Sequence, residues 1–274
     1  MSDTITPAVT LQKAGAVMGI LNVTPDSFYD GGQWLNHDAA IAHAHEMVTQ
    51  GADIIDIGGA SSRPHATPVA ADEEQRRVLP VIEALAGKAR VSIDTTDETV
   101  ARRAVKAGAT LINDVSGTLY PLAGELGVGW VAMHRRGDAA TMDTLCDYDD
   151  VVKEVHAQLL DLGNRARQAG VEEIYLDPGI GFAKTEEQSL LLLSSLGELV
   201  TLAHSGGFKV LLGASRKRAL SRFGASPTTL LGPGTRLEAS LAVAVWAFEC
   251  GVDVVRVHDV AHSVLGARLV GGLR

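Results

Sequence analysis

Eleven polar side chains stand where short apolar runs end: Asn22, Ser62, Arg63, Asp94, Asn113, Asp114, His134, Asp177, Lys217, Arg256 and His258. Two chemistries can be separated among them. Asp94, Asn113, Asp177 and Lys217 offer carboxylates, an amide and an amine, which suit the donor and acceptor edges of a flat nitrogen heterocycle. A carboxylate can accept two N–H bonds from an amino-pyrimidine-type edge, and an ammonium can donate to a ring carbonyl or nitrogen. For Asp177 and Lys217 alone, an internal ion pair tying two strands together is the alternative. Asn22, Ser62, Arg63, Arg256 and His258 form the second group, cationic or otherwise suited to anions. In Val255-Arg256-Val257-His258 the alternation sends Arg256 and His258 the same way. A concentrated positive site in a chain of net charge −9 points to a phosphate or pyrophosphate group. The Asn22 side-chain oxygen suits Mg2+, which keeps several waters and binds phosphate oxygens.

Each of these residues needs an element to hold it. Asp53-Ile54-Ile55-Asp56-Ile57 is apolar on both faces, the pattern of a strand buried on both sides in a parallel sheet. Gly58-Gly59 then allows a tight turn and a close backbone approach before Ser61, Ser62 and Arg63. The same layout recurs, with further strands expected at residues 17–23 (closing on Asn22), 90–94, 110–114, 129–134, 174–177, 208–213 and 253–258. Helices are expected at 37–50, 71–85, 97–107, 148–169, 186–203 and 235–249, with a last one closing the chain. The connection over 24–32 is long for a strand-to-helix link, and long loops in compact folds tend to be functional or mobile. Eight strands alternating with helices imply parallel pairing through right-handed crossovers, and hence an α/β fold: a (β/α)8 TIM barrel with its active site at the C-terminal strand ends. No linker divides the chain, so residues 1–274 read as one domain with 1–15 as a peripheral extension.

The totals narrow the field. With 46% hydrophobic and 21% charged residues, the composition is that of an ordinary soluble globular protein. The acidic balance argues against nucleic acid as a partner, since no basic face is evident. Cys146 and Cys250 lie far apart, without the spacing of a zinc site or a disulfide framework. The first fifteen residues lack a basic, then apolar, leader, and no run approaches the ~20 apolar residues of a membrane span. A cytoplasmic setting, with no membrane partner, is expected.

Taken together, the motifs resemble the dihydropteroate synthase family. They are Gly19 through Phe28, Asp56-Ile57-Gly58-Gly59 through Arg63-Pro64, Ser92-Ile93-Asp94-Thr95, Asn113-Asp114, Asp177 through Phe182, Ser215-Arg216-Lys217 and Arg256-Val257-His258-Asp259. The resemblance runs in order from Val17 to the C-terminus. It implies a TIM-barrel transferase of folate biosynthesis, joining (7,8-dihydropterin-6-yl)methyl diphosphate to 4-aminobenzoate and releasing pyrophosphate. By the same resemblance, Asp94, Asn113, Asp177 and Lys217 would hold the pterin. Asn22, Arg63, Arg256 and His258 would hold the diphosphate with Mg2+, with Ser62 beside it. Loops carrying Asp26 and Phe28, and Ser61 to Thr67, would close over the site. Phe182, Ser215 and Lys217 would border the aminobenzoate pocket, where sulfonamides compete, and the chain would form a homodimer. Four positions depart from the family pattern: Ala60 for a common glutamate, His65 for glycine, Ser62 for threonine and Ala183 for glycine. Two rivals share the pterin-reading residues. A folate-to-corrinoid methyltransferase domain would not need Arg63, the Asp26 loop and the Arg256/His258 pair together, and a non-catalytic homologue would bind pterin without turnover.

Overall fold

All eight apolar runs pair in parallel and close on themselves in this computed structural model. The structure describes residues 12–24, 29–30, 34–35, 37–61, 67–223 and 236–273. In chain order the elements begin with β1 (Ala16–Asn22), β2 (Tyr29–Asp30), β3 (Trp34–Leu35), α1 (His37–Thr49), β4 (Ile54–Gly58) and α2 (Ala71–Leu85). There follow β5 (Arg90–Asp94), α3 (Glu98–Ala107), β6 (Leu111–Asp114), α4 (Tyr120–Leu126), β7 (Gly129–Met133) and α5 (Val151–Gln168). The chain continues through β8 (Ile174–Asp177), α6 (Glu186–Ser194), α7 (Leu196–Ser205), β9 (Lys209–Leu212), α8 (Leu237–Glu249), β10 (Val254–Val257) and α9 (Val260–Leu273). Around the barrel the order is β1-β10-β9-β8-β7-β6-β5-β4, and Met18 of β1 pairs with Ile54 on one side and Arg256 on the other. The first and last thirds of the sequence therefore meet. The strands β2 and β3 form a small antiparallel ribbon within the long connection after β1.

Two elements differ from expectation. A single helix over 186–203 becomes α6 and α7, separated at Ser195, whose hydroxyl donates to the Leu192 carbonyl at 3.1 Å. Such a bond competes with the helical ladder and ends the first helix. Between the fourth and fifth barrel strands lies α4, which has no counterpart among the expected helices. Its 7 residues, with Pro121 in the first turn and left-handed Gly127 at the end, are too few to establish a helical period.

Strand alternation sorts the side chains into layers. Met18, Ile54, Leu111, Val131, Tyr175, Leu211 and Val254 pack together as one apolar cluster inside the barrel. Ile55, Ile57, Ile93, Ile112, Leu176, Val255 and Val257 belong instead to the larger outer core against the helices. Two residues beyond the inner cluster, on the same face, come Asp56 on β4, Asn113 on β6, Asp177 on β8 and Arg256 on β10. Asp94 stands level with them, pairing in register with Asn113. An apolar plug thus carries a polar layer at its C-terminal end.

At the other end, Glu173 gathers three donors: Arg90, the Lys209 ammonium at 2.8 Å and the Tyr175 hydroxyl at 2.7 Å. Burial pushes the Glu173 carboxyl up, but these donors outweigh it and hold it down at about 2, below its ordinary 4.5. Because the folded value is the lower one, its stabilisation is present above pH 4.5 and fades as pH falls towards 2. We therefore expect Glu173→Gln to lower stability at pH 7 by roughly 1.5–3 kcal/mol, the range for hydrogen bonds to a charged group. In urea titrations that deficit should shrink on acidification; equal stability of parent and variant at pH 7 would remove this network from the account.

Candidate active site

Arg256 sits at the centre of the polar layer. Its Nε donates to Asp56 Oδ2 at 2.6 Å and its Nη2 to Asp94 Oδ2 at 2.7 Å. Asn113 Nδ2 donates to the same Asp56 oxygen at 2.9 Å, so one carboxylate orients both an amide and a guanidinium. Asp56 is fully buried, and its Oδ1 has no hydrogen-bond partner among the described residues. Burial pulls the Arg256 pKa down, yet Asp56, Asp94 and Asp177 together leave it above its ordinary value, so this guanidinium stays charged. Burial pushes Asp94 up to about 7; Arg256 opposes the rise, and the charges of Asp56 and Glu74 reinforce it. Asp177 is raised for the same reason, relieved by the Gly179 N–H at 2.8 Å and by the charges of Lys217 and Arg256.

The connection after β8 supplies a second wall. Gly179 has a φ of +63°, and a Cβ there would lie 2.0 Å from the His134 carbonyl oxygen, so only glycine fits. Buried Lys184 ties this loop together, donating to the carbonyls of Gly179 at 3.1 Å and Phe182 at 2.9 Å and to His134 Nδ1 at 2.8 Å. Burial lowers Lys184 to about 7 and His134 to about 3, which leaves the imidazole neutral and able to accept that bond. Ala183, where the resembling family has glycine, holds a left-handed φ of 50°. Its carbonyl accepts the Tyr148 hydroxyl at 2.9 Å. Phe182 packs with Val115, Met133 and Met142, and Lys217 Nζ lies 3.8 Å above its ring centroid.

Among the anion-suited residues, His258 Nδ1 lies 3.0 Å from Ser215 Oγ, just past the ends of β10 and β9. Asn22 ends β1 and is partly exposed. Ser62, Arg63, Asp26, Phe28 and His65 lie outside the described residues. Beside the polar layer, a cavity of about 340 Å³ is lined by Asp94, Thr95, Glu74, Ser61, Thr67 and Arg135, among others.

Arg256, grouped with His258 by the sequence, is also tied into the carboxylate cluster through Asp56 and Asp94. Two readings of the sequence need correction. Asp114 faces away from the mouth, accepting the N–H groups of Ser116, Thr118 and Leu119 and the Trp130 indole, so it ties the start of α4. His134 is enclosed by the Lys184 network rather than presented at the strand end. Asp56 and Lys184 received no role from the sequence. For Asp56 the signal was present, since an acid two residues after Ile54 shares the inward face of its strand.

The profile of the pterin binding enzyme family matches residues 18–258. The chain is 44% identical over 265 residues to the dihydropteroate synthase of Mycobacterium leprae (strain TN), covering 93% of this chain and 92% of the relative. It resembles the Xanthomonas albilineans dihydropteroate synthase solved with 4-aminobenzoic acid, with TM-score 0.83, 41% identity, and coverage of 93% of this chain and 91% of that one. The Yersinia pestis dihydropteroate synthase in a sulfonamide drug complex matches with TM-score 0.84, 38% identity, and coverage of 95% and 94%.

The cluster geometry makes a stability prediction. Asp56→Asn should cost about 3 kcal/mol, because it leaves Arg256 half-paired in a buried layer. Adding Arg256→Met should recover part of that loss by removing the stranded charge. Chemical denaturation measures both, and an Asp56→Asn variant as stable as the parent would refute the pairing.

Proposed function

The chain belongs to the pterin binding enzyme family, among the dihydropteroate synthases, and from that premise we propose that its barrel mouth joins a pterin-methyl diphosphate to 4-aminobenzoate. The product is 7,8-dihydropteroate, made in folate biosynthesis, with pyrophosphate leaving. The observation that carries the reading is the Asp56–Arg256–Asp94 bridge, which orients one fully buried and one partly exposed carboxylate at one end of an apolar plug.

In this reading Asp94 and Asp177 accept N–H groups of the pterin edge, Asn113 donates and accepts beside them, and Lys217 donates to a ring carbonyl or nitrogen. Phe182 forms an apolar wall, and with Ser215 and Lys217 it borders the aminobenzoate pocket, where sulfonamides compete. Arg256 serves both halves of the site: Nε and Nη2 fix the carboxylates, and the guanidinium charge faces the diphosphate alongside His258, Asn22, Ser62 and Arg63. The C–O bond to the diphosphate breaks with its electron pair leaving on oxygen. The arylamine nitrogen then supplies the pair for the new C–N bond and loses a proton. Developing positive charge on the pterin-methyl carbon is stabilised by Asp94 in its ionised form, since a fixed carboxylate in a poorly solvated site acts strongly.

Asn22 contributes one neutral oxygen, and no cluster of three His, Cys, Asp or Glu side chains suited to a metal occurs among the described residues. That donor set fits Mg2+, which takes few protein ligands and fills its shell with water and phosphate oxygens. When bound, Mg2+ would neutralise charge on the leaving diphosphate.

Exposed Trp246 on α8 and Leu265, Leu269 and Leu273 on α9 support a homodimer built on these helices. No helix among the described residues is long and apolar enough to cross a membrane.

Pyrophosphate release from pterin diphosphate that requires both aminobenzoate and Mg2+ tests the reaction; binding without turnover, or methyl transfer to a corrinoid, would overturn it. A chelator should stop release, and added Mg2+ should restore it. Activity should rise through about pH 7 as Asp94 ionises, and Asp94→Asn should abolish turnover. Because the folded pKa of Asp94 is raised, its contribution to stability is lost as pH rises through that value. Asp94→Asn, which also removes one partner of Arg256, should accordingly show a smaller stability deficit against the parent at pH 8 than at pH 5, while inactive. An active variant would remove Asp94 from the mechanism.

A further inference from the structure

Two residues within the motifs have no part in that reaction: Arg216, between Ser215 and Lys217, and Asp259, directly after His258. Arg216 has a φ of 58°, a left-handed conformation that side chains other than glycine seldom hold unless their surroundings fix them. Its guanidinium meets Asp259 as a fork, with Nη2 2.6 Å from Oδ1 and Nε 3.2 Å from Oδ2. The Asp259 carbonyl accepts the Ser263 N–H at 3.1 Å, which places Asp259 at the N-terminal cap of α9. A carboxylate there ordinarily turns to the N–H groups of the first helical turn. Here both of its oxygens bond to Arg216 instead.

The backbone of Arg216 is held as well. Its N–H donates to Ser240 Oγ at 2.9 Å, and Arg236 Nη1 donates to its carbonyl at 3.3 Å. One residue back, Ser215 Oγ accepts the His258 N–H at 3.3 Å in addition to its contact with the ring. The loops after β9 and β10 are therefore joined twice, once by Ser215 and His258 and once by Arg216 and Asp259. The Arg216 side chain is 49% exposed, and exposed pairs usually contribute little to stability. A two-point planar fork does fix geometry.

We propose that the Arg216–Asp259 pair is a positioning clamp. It holds the loop bearing Ser215 and Lys217 against the loop bearing His258, so that the ring-binding amine and the diphosphate-binding imidazole keep a fixed separation. The inference rests on the reaction proposed above. Arg216 acts through its neighbours and is a positioning residue.

Two variants break the fork without an evident folding penalty. Arg216→Gly relieves the left-handed backbone, and Asp259→Ser leaves a strong helix cap. Each should lower kcat/KM for the pterin diphosphate tenfold to a hundredfold, with Tm within about 2 °C of the parent or above it. The double variant should lose no more than the worse single, because the pair acts as one unit. Arg216→Lys, which keeps a charge but no fork, should recover only part of the rate. Near-parent rates in both singles would overturn the clamp. So would a loss confined to Arg216→Gly, which would make Arg216 a direct substrate ligand, or losses that multiply in the double variant. A fall in Tm above about 10 °C that tracks the rate would assign the pair a purely structural role. Turnover by the parent in the same assay separates the two levels: an inactive parent refutes the reaction, whereas an active parent with unaffected variants refutes the clamp alone.

Discussion

Arg256 reaches across the barrel mouth to carboxylates on two other strands, and the polar layer depends on that reach. Asp56, Asp94 and Asp177 lie close together on a floor of apolar side chains, where an uncompensated charge is expensive. Arg256 bridges two of them, and Lys217 acts on Asp94 and Asp177 through its charge. Burial raises Asp94, the charges of Asp56 and Glu74 add to the rise, and Arg256 and Lys217 offset only part of it. A ligand bearing N–H donors would favour the ionised form of Asp94.

That arrangement follows from closing a sheet on itself. In a parallel barrel both faces of every strand are covered, and the period of two sends alternate residues inward. Three levels result here: the Glu173 network at one end, the plug of Met18, Ile54, Leu111 and their partners, and the Asp56–Arg256–Asp94 layer. The two ends treat charge differently. Glu173 has donors enough to hold its carboxyl at about 2, whereas Asp94 has too few and remains near 7. The first arrangement stabilises the fold; the second leaves a titratable group at the barrel mouth.

Much of this was legible in the sequence because it depends on local pattern. Apolar runs closed by a polar residue located the strands within a residue or two, and Asp94, Asn113 and Asp177 reached the mouth as their positions implied. What failed to show depends on contacts between distant strands. Arg256 and Asp56 are 200 residues apart, and no spacing reveals that they touch. Asp114 and Asn113 are adjacent and both polar, yet alternation sends one to the mouth and the other to the turn leading into α4. Lys184 lay unread just beyond the motif ending at Phe182, because a lysine there looks exposed until the loop folds over it. The left-handed Ala183 and Arg216 belong to the same class, since a sequence does not display φ.

Proton exchange on pterin binding tests the central claim most directly. Titration calorimetry of pterin diphosphate in buffers of differing ionisation enthalpy counts the protons moved per ligand bound. If Arg256 leaves Asp94 under-compensated and the pterin completes it, binding should release close to one proton at pH 6 and almost none at pH 9, and Asp94→Asn should abolish the release. Binding that moves no proton at either pH would contradict the account.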